Sequence, residues 1–154
     1  MTKEQKRGKR IAMSPDELNA YLLSERTCRV ATVSHDGPHV TPLWFVWDGT
    51  SIWLTSIVNS QRWTDLMRDP RVAIVLDGGV DFLELHGVEI QGRVEVVGEV
   101  PRTGEPNPEL EVPEQLFARK YTGSDTMHHD GRHAWLKVVT EKASSWDFRK
   151  IGKS

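Results

Sequence analysis

The segment Thr55-Ser56-Ile57-Val58-Asn59-Ser60-Gln61-Arg62 concentrates the groups best suited to chemistry. Two hydroxyl residues close an apolar, strand-like run, a short polar loop follows, and an arginine stands at the start of a helix-like run. The first backbone N–H groups of a helix have no partner inside it and lie at the positive end of its dipole. Together they favour an anion. Ser60 or Thr55 can donate a hydrogen bond there, and Arg62 can grip a phosphate through two N–H groups at once. The same spacing also describes an ordinary N-cap followed by an exposed arginine that adds little stability. From spacing alone this second reading is the better one, and anion binding stays open.

Three histidines, His128, His129 and His133, raise the question of a metal, since the last pair is four residues apart. Only a helix would bring that pair onto one face, and Asp130-Gly131 argues against a helix. No cysteine or clear carboxylate set stands beside them. No metal is expected, and the histidines read as solvated loop residues or as lining a cavity mouth. The chain has no G-x-S-x-G, C-x-x-C or H-E-x-x-H. Gly152-Lys153-Ser154 imitates the end of a phosphate loop, but Asp147 stands where that loop needs its first glycine. No catalytic side-chain set is expected.

These groups must be positioned by a chain of 154 residues, which suits one domain. Apolar residues make up 38% and charged residues 27%, an ordinary globular balance. A net charge of -2 gives no general pull toward nucleic acid or an anionic membrane. Six tryptophans are unusual for this length. Some belong in a core; others suit a ligand cavity or a subunit interface, where a large ring with one N–H is useful. Cys28 is the only cysteine, so no intrachain disulfide forms and secretion gains no support. MTKEQKRGKR has no apolar stretch after its basic residues, so it is no secretory signal, and no run of about 18 apolar residues offers a membrane span. A cytoplasmic protein is expected. Residues 1–12 read as a disordered basic arm and 13–151 as the folded domain. The arm alone is too little to imply a nucleic-acid partner.

Ser14-Pro15-Asp16-Glu17 predicts a helix start with a capping box, running to about Glu25. Strand signals follow from Cys28 through Val33, with Asp36-Gly37 as hairpin turn and His39 to Trp47 as return strand. Pro42 inside that strand implies an edge or a bulge. Ser51 to Ser56 predicts a third strand, and Asn59 to Arg68 a short helix with Trp63, Leu66 and Met67 on one face. Arg71 to Leu76 and Phe82 to Val97 predict further strands. In the latter, Val88, Ile90, Gly92, Val94 and Val96 share a face. Residues 98–112 read as loop, Pro113 to Tyr121 as helix, and Thr122 to Arg132 as polar loop. Trp135 to Thr140 and Ser144 to Phe148 predict two final strands. The whole is mainly β: a six- to seven-stranded antiparallel barrel, closed or nearly so, with a few short helices.

From about residue 14 to 151 the chain resembles the pyridoxamine-phosphate-oxidase-like split-barrel family, and in particular its actinobacterial flavin/deazaflavin oxidoreductases that use coenzyme F-420. The resemblance is carried by Val30-Ala31-Thr32-Val33, His39-Val40-Thr41-Pro42-Leu43-Trp44-Phe45 and Ser60-Gln61-Arg62. Leu66-Met67-Arg68-Asp69-Pro70-Arg71-Val72, Gln91-Gly92-Arg93-Val94-Glu95 and Ser145-Trp146-Asp147-Phe148-Arg149-Lys150 extend it. Each stretch is weak alone; their order and spacing are specific. The family implies a homodimer with two cofactor sites at the interface. It implies that His39, Val40, Thr41 and Pro42 lie along the cofactor ring. Thr55 and Ser56 then meet the ring edge or the phosphate, and Ser60, Gln61 and Arg62 form the phosphate turn. Gln91 and Trp146 would reach the cofactor from the partner subunit. Trp44 stands where the oxidases carry lysine, and their terminal Arg-x-His is replaced after Trp146, so the vitamin-B6 reaction is not implied.

What the resemblance implies is a reductase in which coenzyme F-420 serves a small electron-poor organic acceptor, with Trp44 as an apolar wall of the substrate pocket. The cofactor carries the chemistry, so no catalytic dyad is required. Two alternatives stay open. FMN would present its phosphate to the same turn. A non-enzymatic protein would store a flavin or bind haem in the barrel cleft.

Overall fold

A computed structural model describes residues 2–153. Met1 and Ser154, the outer ends of the basic arm and of the phosphate-loop imitation, lie outside the described residues. Six strands make a closed antiparallel barrel: β1 (Thr27–Ser34), β2 (Gly37–Trp47), β3 (Ile52–Ile57), β4 (Arg71–Gly78), β5 (His86–Val97) and β6 (His133–Asp147). Their order around the barrel is β1-β2-β3-β6-β5-β4. Three helices attach to it: α1 (Pro15–Ser24), α2 (Gln61–Arg68) and α3 (Pro108–Phe117).

Local chemistry explains the element ends. The Ser14 side chain accepts from Glu17 N–H while the Glu17 carboxylate accepts from Ser14 N–H, closing the capping box at α1. Such a cap is worth about 1 kcal/mol. His35-Asp36 turns β1 into β2, with Gly37 at φ 119° beginning the return strand. In β5 the ladder to β6 slips at Gln91/Gly92. A Cβ on Gly92 would lie 2.1 Å from the Val139 carbonyl oxygen, so only glycine admits this approach.

Two apolar layers result. Inside the barrel, Val30, Phe45, Leu54, Ile74, Ile90 and Leu136 form the core. Outside it, Val46, Trp53, Val97 and Trp135 are covered by Leu110 of α3 and neighbouring residues. Strand alternation separates the layers: Leu54 and Leu136 point in, Trp53 and Trp135 out.

Several sequence expectations need correction. The helix placed at Pro113 to Tyr121 begins earlier, because Asn107 caps it and Pro108 opens it; residues 118–122 then form a single wider turn. The two final strands are one, since β6 spans the polar stretch Glu141 to Ser144 without a break. Val96 leaves the shared inner face and is 41% exposed, while Val97 is buried in the outer layer. Met67 is exposed, and only Trp63 and Leu66 of its predicted face are buried. Residues read as a disordered arm run beside β6: Lys3 N–H donates to the Glu141 carbonyl, and the Gln5 amide both donates to and accepts from the Ser145 backbone.

Candidate functional site

The barrel is split on one side. β2 pairs with β3 only through Phe45–Trp47 and Ile52–Leu54. Above that point Gly37–Trp44 pairs with β1 alone, leaving a free edge opposite the end of β3. Pro42 therefore lies on an edge, as its missing N–H requires. Alternate residues of such a strand turn their backbone groups to opposite sides. The Phe45 N–H and carbonyl face the β1 side, where both bond the Tyr121 hydroxyl. The Pro42 carbonyl faces the split, where it accepts from Arg62. Even-numbered residues thus address the split, and since two of them are Pro38 and Pro42, the N–H donors on this edge are those of Val40 and Trp44.

Arg62 fills the split. Its Nη2 donates to Thr41 Oγ1 at 2.8 Å and to the Pro42 carbonyl at 3.3 Å, and its Nη1 donates to Ser56 Oγ at 3.2 Å. It is 9% exposed, and Nε is buried with no partner. No carboxylate pairs with it among the described residues. Burial pushes its pKa down, the direction expected of a cation without a counter-ion. The reading of Arg62 as an exposed surface arginine is corrected: the first turn of α2 lies against the barrel end, and its inward side brings Arg62 with Trp63 and Leu66 under cover.

The rest of the α2 start is internally engaged. Ser60 caps the helix by accepting from Trp63 N–H and donates to the Ile57 carbonyl. Gln61 turns along its own helix and donates to Asp65. Asp65 is fully buried and also accepts from Thr32 Oγ1 at 2.8 Å. Hydrogen bonds from Gln61 and Thr32 hold its carboxyl below the usual range. His39 Nδ1 lies 3.6 Å from Asp65 Oδ2, buried and without a hydrogen bond.

On the outer face, Thr55 and Trp44 border two adjoining hollows. One is shallow and follows β2, lined by Thr27, Pro42 and Leu43. The other is a cleft of about 230 Å³ walled by Trp44, Phe117, Met127, Trp135 and the loop carrying His128, His129, Asp130 and His133. Trp44 is 46% exposed, and Tyr121 stacks on its ring with centroids 4.4 Å apart. His133 Nδ1 meets Asp130 Oδ2 at 2.6 Å. Burial pushes the Asp130 carboxyl up, but the Arg132 N–H and the His133 ring outweigh it and hold it low. Among the described residues no three His, Cys, Asp or Glu side chains converge as a metal site would require.

The structure therefore gathers Thr41, Pro42, Ser56, Ser60 and Arg62 around the split, sets His39, Val40 and Gln61 beside it, and puts Thr55 and Trp44 on the outer hollows. It does not bring Gln91 or Trp146 there. Gln91 lines a separate depression with Arg71 and Val72, and the Trp146 ring lies over Gly87. Phe117 and Met127 were not singled out as cleft residues from sequence. The signal available was the run of aromatic and loop residues around the histidines, without strand or helix periodicity to place it.

The model of the pyridoxamine 5'-phosphate oxidase family matches residues 14–147. The chain belongs to this family. Among solved structures, a conserved hypothetical protein from Mycobacterium tuberculosis is 31% identical, with 99% of this chain and 94% of that chain covered and a TM-score of 0.78. An F-420 reductase is 25% identical over 82% of this chain and 94% of its own, with a TM-score of 0.60. An FAD-binding protein from Mesorhizobium loti, 18% identical over 87% of this chain and 93% of its own at a TM-score of 0.65, shares the fold. No curated protein matches the chain.

A phosphate-bearing flavin-type group fits the residues present. The orphaned Nε and one unused Nη1 proton of Arg62 have no acceptor among the described residues. The neighbouring β2 edge supplies unpaired N–H groups over an apolar hollow.

Proposed function

We propose that the chain is an oxidoreductase that binds coenzyme F-420 by its phosphate at Arg62 and reduces a small, electron-poor organic acceptor. The observation that supports this most is the buried Arg62 guanidinium with an unpartnered Nε and no counter-ion. When bound, such a ring supplies a hydride to an acceptor held against it. The chain's own residues bind, orient and exclude water. Arg62 neutralises the phosphate, with Ser56 and Thr41 holding the guanidinium in place. The Val40 and Trp44 N–H groups, with His39 and Pro42 on the same stretch, would hold the ring along the open edge of β2. Trp44, Thr55 and Phe117 separate the ring's hollow from the cleft that takes the acceptor. A homodimer completes the site, with Gln91 and Trp146 reaching the partner's cofactor.

The likeness to an F-420 reductase supports the deazaflavin over FMN, as does Trp44 in place of the oxidases' lysine. Titration with each cofactor, followed by absorbance, tests the choice. F-420 should bind more tightly, and the reduced complex should persist in aerated buffer until an organic acceptor is added. Tight FMN binding with rapid oxygen consumption and no F-420 affinity would overturn the assignment. Sedimentation at micromolar concentration should give a dimer; a monomer that binds cofactor tightly would remove Gln91 and Trp146 from the site.

A further inference from the structure

We infer that the cleft between the outer face of the barrel and the 127–133 loop is a binding site for a hydroxylated aromatic of one or two rings. His133 Nε2 is its recognising atom and Asp130 its positioning residue. The inference rests on the reading above and deepens it: the molecule held beside the cofactor hollow carries a ring hydroxyl as its handle in addition to the electron-poor group that accepts the hydride, and the hydroxyl is what this cleft recognises.

Size comes first. The cleft holds about 230 Å³, below the roughly 300–1,000 Å³ of sites that bury drug-sized molecules. It suits one or two fused rings and excludes a macrocycle such as haem. Its walls favour a flat apolar body: Trp44, Phe117 and Trp135 are aromatic, and Met127 adds a polarisable side chain. Trp44 is braced by Tyr121, whose hydroxyl is fixed by the Arg26 and Phe45 backbones. The wall is therefore preformed.

Among the polar groups on the cleft, Arg102, His129 and Asp130 are already engaged, and His128 is exposed with no hydrogen bond among the described residues to fix its ring. Arg102 donates to Glu99, Glu114 and the Glu105 carbonyl, and His129 Nε2 is bonded to Glu114. His133 differs. Asp130 takes its Nδ1 side at 2.6 Å, while Nε2 makes no hydrogen bond among the described residues. An ionised carboxylate at Nδ1 fixes the proton there, so the neutral ring offers a lone pair at Nε2. A lone pair at the rim of an apolar slot recognises an O–H. The Thr55 hydroxyl, on the same wall and also without a partner among the described residues, can meet a second ligand oxygen.

The probes are 2-naphthol and naphthalene, titrated into the full-length protein and followed by tryptophan and naphthol fluorescence. The wild type should bind 2-naphthol about tenfold more tightly than naphthalene, the scale of one neutral hydrogen bond. His133→Phe keeps ring volume and should abolish the preference while leaving naphthalene affinity unchanged. Asp130→Asn should reduce it, because an amide can donate to Nδ1 and place the proton on Nε2. Trp44→Ala should weaken both probes. Equal affinities in the wild type, or a preference that survives His133→Phe and Asp130→Asn, overturns the inference. Arg62→Met should leave naphthol binding intact. Naphthol recognition without binding of either cofactor would sink only the proposed function; cofactor binding without naphthol preference would sink only this site.

Discussion

Two arginines are buried in this molecule to nearly the same degree, Arg62 at 9% exposure and Arg102 at 5%, and their surroundings are opposite. Arg102 is saturated. It forms a two-pronged pair with Glu114, bonds Glu99 and reaches the Glu105 carbonyl. Glu114 and Glu99 push its pKa up. Arg62 meets only two hydroxyls and one carbonyl, keeps Nε idle, and has its pKa pushed down by burial. A buried ion pair with complete hydrogen bonding is a structural device, and removing one member leaves the other charge stranded. Arg62 is a buried cation with spare donors and no acid among the described residues, the arrangement that the proposed anion site needs. Burial alone does not separate structure from function; the counter-ion does.

The largest effect should come from the saturated side. Glu114→Ala leaves Arg102, His129 and the Trp135 indole N–H without their shared acceptor. A stability loss of about 3–5 kcal/mol is expected, read from urea unfolding. A loss under about 1 kcal/mol would mean that Glu99 alone satisfies Arg102. The same carboxylate predicts an acid limb. Burial pushes the Glu114 carboxyl up, but hydrogen bonds from Arg102, His129 and Trp135 outweigh it and leave its pKa below the usual 4.5. A depressed folded pKa contributes stability that is fully present above the unfolded value and is lost as pH falls through the folded one. Wild-type stability should therefore decline below about pH 4.5, and Glu114→Gln should flatten that decline. An equal slope in both proteins would assign it to other carboxylates.

The next effect belongs to Arg62. Arg62→Ala should weaken cofactor binding by about 1.5–3 kcal/mol, the range for a hydrogen bond to a charged group. Because this cation has no counter-ion, Arg62→Met should change stability by no more than about 1 kcal/mol. Calorimetric titration and urea unfolding on one preparation check both. Unchanged affinity with a large stability loss would make Arg62 a second structural arginine.

How much of this contrast was legible in the sequence depends on distance along the chain. The capping box at Ser14, the hairpin at Asp36-Gly37 and the helix after Ser60 are set by neighbours, and local rules found them. The free β2 edge was legible through Pro42. That Arg62 would turn inward was not, since its acceptors Thr41 and Pro42 stand 21 and 20 residues away. Arg102 gave no signal at all. It sits in a proline-rich loop, and its main partner, Glu114, lies in a helix whose start the same prolines obscured. The cleft was hidden for a related reason: Trp44, Phe117 and His133 meet only once the barrel has closed. The His128, His129 and His133 group could be read as a cavity mouth, but not which ring nitrogen would remain free.

The smallest effect is also the most selective. Inorganic phosphate is the minimal mimic of the cofactor's anchor. A ligand that binds the folded state stabilises it by RT ln(1 + [L]/Kd), about 0.4 kcal/mol when its concentration equals Kd. For a domain of this size that is a shift in Tm of roughly 1–2 °C. The shift should grow with phosphate concentration, exceed that given by chloride at equal ionic strength, and vanish in Arg62→Met. It should persist in a Lys9→Ala control, because that lysine is exposed, paired with Glu4 and outside the split. General screening of surface charge would move every variant alike. An anion seat would move only the proteins that keep Arg62. A phosphate shift retained in Arg62→Met would place the anion elsewhere and make the idle Nε an unsatisfied donor with no ligand to explain it.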